Sequence, residues 1–122
     1  MDDNTTIKLL GALRLGVGAA LVAAPAFAGR IWVGPDADGP GTKVFARAIG
    51  ARDVLLGLRT LTALRDGESP ARWLQLGFAA DAADAVATAL AFRNLTPARR
   101  VAMPLIAGGV GALGYAAATK LE

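Results

Sequence analysis

The sequence predicts an all-α fold, a bundle of four transmembrane helices, on three observations. Of its 122 residues, 54% are hydrophobic and 19% charged, whereas soluble domains average about 45–50% and about 25%. The apolar residues gather in four stretches, Ile7–Ala28, Val44–Leu64, Trp73–Phe92 and Val101–Thr119. Each is about 19–22 residues, which as helix spans roughly 30 Å, the thickness of a bilayer's hydrocarbon. The charges inside these stretches fall on narrow stripes, where a soluble amphipathic helix turns a broad polar face to water. The expected organisation is one domain over residues 1–122, with helices at about 7–28, 44–64, 73–92 and 97–119. No strand-like alternation and no internal repeat is present.

The first helix can be capped by Asn4, Thr5 or Thr6 and carries one internal charge, Arg14. It has a rival reading as a signal peptide. Lys8 and Arg14 precede an apolar run, and Ala26-Phe27-Ala28 before Gly29 has the small-x-small form of a cleavage site. Asp2 and Asp3 make a poor basic start, so an uncleaved helix is expected. Gly34-Pro35-Asp36 and Asp38-Gly39-Pro40-Gly41 then break the chain, and Thr42 can cap the second helix.

The second helix carries Arg47, Arg52, Asp53 and Arg59 and ends at Asp66-Gly67. The third, opened by Ser69-Pro70, carries Asp81 and Asp84 on a stripe with Gly77 and Thr88. The fourth, opened by Thr96-Pro97, has no charge between Arg100 and Lys120 and is the strongest transmembrane candidate. A central charge costs about 2.5–3.5 kcal/mol on insertion scales, against about 0.5 returned by a leucine. The second and third helices therefore need partners to insert. Trp32 and Trp73 are expected as interfacial anchors, and Arg47 as a residue that snorkels to phosphate.

Much chemistry is excluded outright. There is no cysteine and no histidine, hence no disulfide, no thiol nucleophile, no Cys–His or Ser–His pair, and no common soft metal ligand. The net charge of +3 comes from 13 basic residues spread among 10 acidic ones, without the basic stripe and stacking aromatics of a nucleic-acid binder. Arginine outnumbers lysine ten to three, which fits a GC-rich bacterial coding bias. Gly16-Val17-Gly18 follows no strand and lacks a third glycine, so it is no nucleotide fingerprint.

The unusual residues lie at matching depths. With both termini on one side, A, Arg14 falls about 10 Å in, Asp81 about 12 Å and Arg59 about 8 Å, while Arg52, Asp53 and Asp84 cluster near 16–18 Å. Three arginines and three aspartates thus form two layers whose charges cancel. Buried charges need partners, so Asp84 is expected to pair with Arg52, and Asp81 with Arg14 or Arg59. Tyr115, about 9 Å from side A, can hydrogen-bond the lower layer. Such a network either orients the helices or forms a functional polar site, and both readings stay open. Asp81 and Asp84 share a helix face as a metal site would, but nearby arginines compete, and neither a metal nor a cofactor is expected. Gly108, Gly109, Gly111 and Gly114, with the pairs Gly108/Ala112 and Ala107/Gly111, give close-packing faces. They are expected to meet Gly11, Gly16 and Gly18 of helix one, or to form a homodimer seam.

The run Ala48-Ile49-Gly50-Ala51-Arg52-Asp53-Val54-Leu55-Leu56-Gly57 is the most distinctive segment. With Ala24-Pro25, Trp32-Val33-Gly34 and Asp81-Ala82-Ala83-Asp84-Ala85, it resembles a group of small four-helix bacterial membrane proteins, common in actinobacteria, to which no activity is assigned. The resemblance implies that Arg52, Asp53, Gly57, Asp81 and Asp84 are signature positions. The first helix, an arginine followed by glycines, is also similar to that of the DoxX-like proteins. Small multidrug exporters match in size but use a glutamate in helix one. Fluoride channels share a Gly-rich, Arg-bearing first helix but need a Thr-Thr-Phe-Ser segment absent here.

The expected function is that of a non-catalytic structural or accessory component of the bacterial plasma membrane, multi-pass and not an enzyme. Its partners would be the lipid bilayer and a second copy or a larger membrane complex, with no nucleic acid. The alternative is a small transporter or ion-conducting protein using the Arg/Asp centre. Side B loops hold Arg30, Lys43, Arg93, Arg99 and Arg100, and side A holds Lys8, Arg65, Arg72 and Lys120. The positive-inside rule then favours a cytoplasmic side B by five to four, a margin that also permits both orientations.

Overall fold

A computed structural model describes residues 2–91 and 97–121. The chain is all-α, with five α-helices and no strand among the described residues. Helix α1 (Asp3–Ala23) opens on Asp2, whose carboxylate accepts the Thr5 backbone N–H at 2.6 Å. That places the cap two to four residues earlier than Asn4, Thr5 or Thr6 would. Pro25 has no N–H and disfavours helical geometry at the residue before it. Ala24 accordingly leaves the helix at φ −134°, ψ 66°. The single helix expected over 7–28 is therefore two, with Pro25 opening α2 (Pro25–Val33) as its first residue. Arg47 Nε donates to the Val22 carbonyl at 3.2 Å and so covers one of the carbonyls freed at the end of α1.

A 3₁₀ turn over Gly34–Asp38 leads to α3 (Pro40–Arg65). Pro40, not Thr42, opens that helix, with Gly39 in the capping position. At its end Glu68 N–H donates to Ala63 O at 2.8 Å and Gly67 N–H to Leu64 O at 3.3 Å. This is a Schellman closure, and it requires the left-handed φ of +74° that Gly67 supplies. Helix α4 (Ala71–Leu90) starts one residue past Pro70, and Ser69 Oγ accepts the Ala71 N–H at 3.3 Å. Helix α5 (Pro97–Thr119) opens on Pro97 as expected. Arg93 and Thr96 lie outside the described residues, as do the side chains of Arg99, Arg100 and Ala107.

The tightest packing joins α1 to α3. A Cβ at Gly18 would lie 2.6 Å from the Gly50 carbonyl oxygen, and one at Gly57 would lie 2.7 Å from the Gly11 carbonyl oxygen. Two glycine pairs, each spaced seven residues, thus mesh antiparallel and bring the backbones together. This corrects the expected partnership of the α5 glycines with helix one. Gly111 and Gly114 pack on α4 instead, against Phe78, Asp81 and the Leu74 carbonyl, while Gly16, Gly108 and Gly109 face open space. Near the termini, Ile7, Leu74, Ala117 and Ala118 form a small apolar cluster. Lys120 pairs with Asp3 at 2.9 Å, so the two ends of the described chain lie together.

Polar groups share the interior with mostly small apolar residues, while many large apolar side chains lie outside. Asp53, Asp81, Thr60 and Thr88 are buried, and Ile7 is the one large side chain buried completely among the described residues. Leu90 is 84% exposed, Phe27 72%, Phe45 71% and Leu105 69%. Among the described residues α1 is the one helix long and apolar enough to cross a membrane. Lys43, Arg47, Arg52, Asp53, Arg59 and Arg65 interrupt α3, and Gln75, Asp81 and Asp84 interrupt α4.

Candidate functional site

Five of the charged residues form one chain of alternating sign across three helices. Arg14 of α1 donates through Nη2 to Asp81 Oδ2 on α4 at 2.5 Å and through Nη1 to Asp53 Oδ1 on α3 at 3.1 Å. The same Asp53 Oδ1 accepts from Arg52 Nε and Nη2 at 3.3 Å each. Arg52 then holds Asp84 bidentately, at 3.1 Å to Oδ1 and 2.7 Å to Oδ2. Two parallel bonds between guanidinium and carboxylate fix direction as well as distance. The order is Asp81–Arg14–Asp53–Arg52–Asp84. Its inner half, around Arg14, Asp53 and Asp81, has side chains 12–14% exposed, and its outer half, at Arg52 and Asp84, 32% and 25%.

Helix geometry places these groups. Residues 81 and 84 share a face of α4, so one face reaches both guanidiniums. Gly77, one turn before Asp81, makes room for Arg14: a Cβ there would lie 3.2 Å from Nη2. Gly18 and Gly111 press on the Cβ atoms of Asp53 and Asp81, where an added Cβ would sit 3.0 and 3.1 Å away. Thr88, buried on the same stripe, donates to the Asp84 carbonyl at 2.7 Å and accepts Trp32 Nε1–H at 3.1 Å. Trp32, expected only as an interfacial anchor, therefore ties α2 to α4. A cavity of about 20 Å³, room for a single water, lies against Arg14, Thr60, Trp73, Gly77 and Gly114.

Two expected members stand apart. Arg59 lies two turns from Arg52 on α3, but the neighbouring surface of α4 at that level presents an indole and no carboxylate. Its guanidinium carbon sits 5.0 Å from the centre of the Trp73 ring, and Arg59 is exposed. Tyr115 is half exposed, because α5 turns Gly111, Gly114 and Ala118 inward. Its ring packs 5.0 Å from that of Phe78, and no hydrogen bond joins it to the network among the described residues. Losing Arg59 leaves two guanidiniums against three carboxylates. The expected neutral balance becomes a formal charge of −1. Asp81 and Asp84 turn to different arginines rather than to a common centre.

The bridging role of Asp53 was not assigned from sequence, where this residue had depth but no partner. Its signal was the heptad of Gly50 and Gly57 around it, which marks the face of α3 that meets α1. No protein-family model, curated protein or solved structure matches this chain.

Proposed function

We propose that this chain is a multi-pass protein of a bacterial plasma membrane. In this reading α1, α3, α4 and α5 form a four-helix transmembrane bundle of structural or accessory role, akin to the small four-helix membrane proteins it resembles. The inverted distribution of polarity carries the reading. Water favours charged groups outside and large apolar side chains inside, and contiguous apolar surface beyond a few hundred Å² is rare on soluble monomers. Here aspartates are buried while Leu9, Leu13, Val44, Phe45, Leu55 and Val86 point outward. A hydrocarbon solvent reverses the preference, and the insertion cost of Asp53, Asp81 and Arg14 is offset by pairing them inside. The structural role is favoured because the network's hydrogen bonds join α1, α3 and α4, and every buried side-chain polar atom described has a partner. Extraction of membranes with alkaline carbonate tests the reading. The protein stays in the pellet, and a monodisperse species recovered from the cytosol without detergent overturns it.

A second reading, a small transporter or ion-conducting protein, is favoured by the odd carboxylate of the network. A charge of −1 between apolar helices is balanced by one proton or one monovalent cation, which is what a coupled carrier exchanges. A pH-dependent flux in liposomes that disappears in Asp81→Asn supports this reading over the first.

A further inference from the structure

We propose that Arg59, Arg72 and Trp73 form a binding site for the phosphate of an anionic lipid headgroup, at the end of the molecule that carries the termini. The inference rests on the membrane reading, which puts this end of α3 and α4 at headgroup level.

Two guanidiniums from different helices converge on one indole. Arg59 of α3 lies 5.0 Å from the centre of the Trp73 ring, and Arg72 of α4 lies 5.9 Å from it. Both arginines are exposed. Two other cations at this end have carboxylate partners: Arg65 pairs with Asp66 and Lys120 with Asp3. Among the described residues Arg59 and Arg72 have none, and Glu68 in the connecting turn pairs with neither. The ring's attraction for a cation does not cancel the repulsion between two of them.

An anion with several acceptor oxygens resolves that repulsion, and guanidinium forks match phosphate bidentately. Arg72 and Trp73 also lie in the first turn of α4, whose dipole favours negative charge. A tryptophan beside arginines is the composition of a membrane interface. The phosphate could belong to a lipid or be free in solution. The proposal commits to the lipid, because the outward apolar residues of α3 and α4, Leu55, Leu58 and Leu76, offer a path for acyl chains below the arginines.

The test uses the full chain in detergent, carrying Trp32→Phe so that Trp73 is the only indole. Short-chain phosphatidylglycerol, phosphatidylcholine and inorganic phosphate are titrated separately while Trp73 fluorescence is read. Saturable binding of phosphatidylglycerol is expected, about tenfold or more tighter than phosphatidylcholine and lost in Arg59→Gln with Arg72→Gln. Arg65→Gln binds as the parent does. If the double glutamine variant fails to fold, Arg59→Lys with Arg72→Lys keeps the charge and weakens binding severalfold by removing the fork. Equal binding of both lipids, or binding unchanged in the double variants, overturns the site. Saturation by inorganic phosphate as readily as by phosphatidylglycerol overturns the lipid assignment. Carbonate extraction of the parent chain separates the two levels: a parent that stays in the pellet but does not bind phosphatidylglycerol refutes the site and leaves the membrane reading intact.

Discussion

Arg14 and Asp81 meet at 2.5 Å across the α1–α4 boundary, with the guanidinium lying over Gly77, where any side chain would occupy its place. Arg14 is the only cation that touches Asp81 among the described residues, whereas Asp53 is shared between two arginines. The consequences of deleting each member of the network therefore differ.

Removing one partner of a buried pair leaves a charge without compensation, at about 3–5 kcal/mol. Arg14→Ala leaves Asp81 without a cation and Asp53 with Arg52 alone, in the most enclosed part of the network, and is expected at the upper end of that range. Arg52→Ala and Asp84→Ala act on the less enclosed half, still between membrane-spanning helices, and are expected at the lower end of that range, about 3 kcal/mol. The double variant Arg52→Ala with Asp84→Ala recovers much of the loss. Thermal midpoints in detergent measure the order. Equal losses at Arg14 and Arg52 would contradict the gradient of burial along the chain.

The glycine pairs make an independent prediction. Gly18→Ala or Gly50→Ala puts a methyl 2.6 Å from a backbone oxygen of the opposite helix, which forces α1 and α3 apart at about 1–3 kcal/mol. Gly16→Ala and Gly108→Ala meet nothing within 4 Å and gain about 0.5–1 kcal/mol from helix propensity. Midpoints that fall alike in all four variants would show that the α1–α3 contact is not the tight one.

The legibility of this molecule follows from which signals are local. Apolar runs and the punctuation at Pro25, Gly67 and Pro97 are local, so the helices could be read from sequence. The effect of Pro25 was underestimated, because an alanine-rich run continues through it without a change in hydropathy. Charge depth followed from helix rise alone and placed Arg52 opposite Asp84. Depth carries no azimuth, however, so it cannot show that the face of α5 bearing Tyr115 turns outward, nor that α4 presents Trp73 and not a carboxylate to Arg59. Glycines were assigned by abundance, which pointed to α5. What decides their partners is the register between Gly11–Gly18 and Gly50–Gly57, visible only once two helices are compared as an antiparallel pair.

The Asp2 cap predicts a local response to acid. Its hydrogen bonds to Thr5 hold the Asp2 carboxyl below the ordinary aspartate value. A depressed folded value means the cap's contribution is complete above the ordinary aspartate value and is lost as pH falls through the depressed one. Amide exchange at Thr5, corrected for its intrinsic pH dependence, is expected to accelerate over that window. In Asp2→Asn, which caps without titrating, the acceleration is absent. Exchange at Thr5 that ignores the titration in the parent protein would show that Asp2 does not hold the first turn in solution.

The last prediction concerns the direction of insertion. Lys120 and Asp3 are paired at 2.9 Å, which puts the two chain ends at one end of the helices, while the Gly34–Asp38 turn lies at the other. If α1, α3, α4 and α5 all cross, reporters fused at Glu122 and inserted in the 36–41 loop must report opposite sides. The basic residues divide five to four between the ends, so the bias that normally sets orientation is slight here. A single added charge should therefore move the population: Asp38→Lys raises the loop side, and Glu68→Lys raises the terminal side. The two substitutions are expected to shift reporter ratios in opposite directions. Equal signals at both positions, unmoved by either substitution, would mean that the chain crosses an even number of times, or not at all, between the 36–41 loop and Glu122. The four-span reading would then fall, even if carbonate extraction left the protein in the membrane.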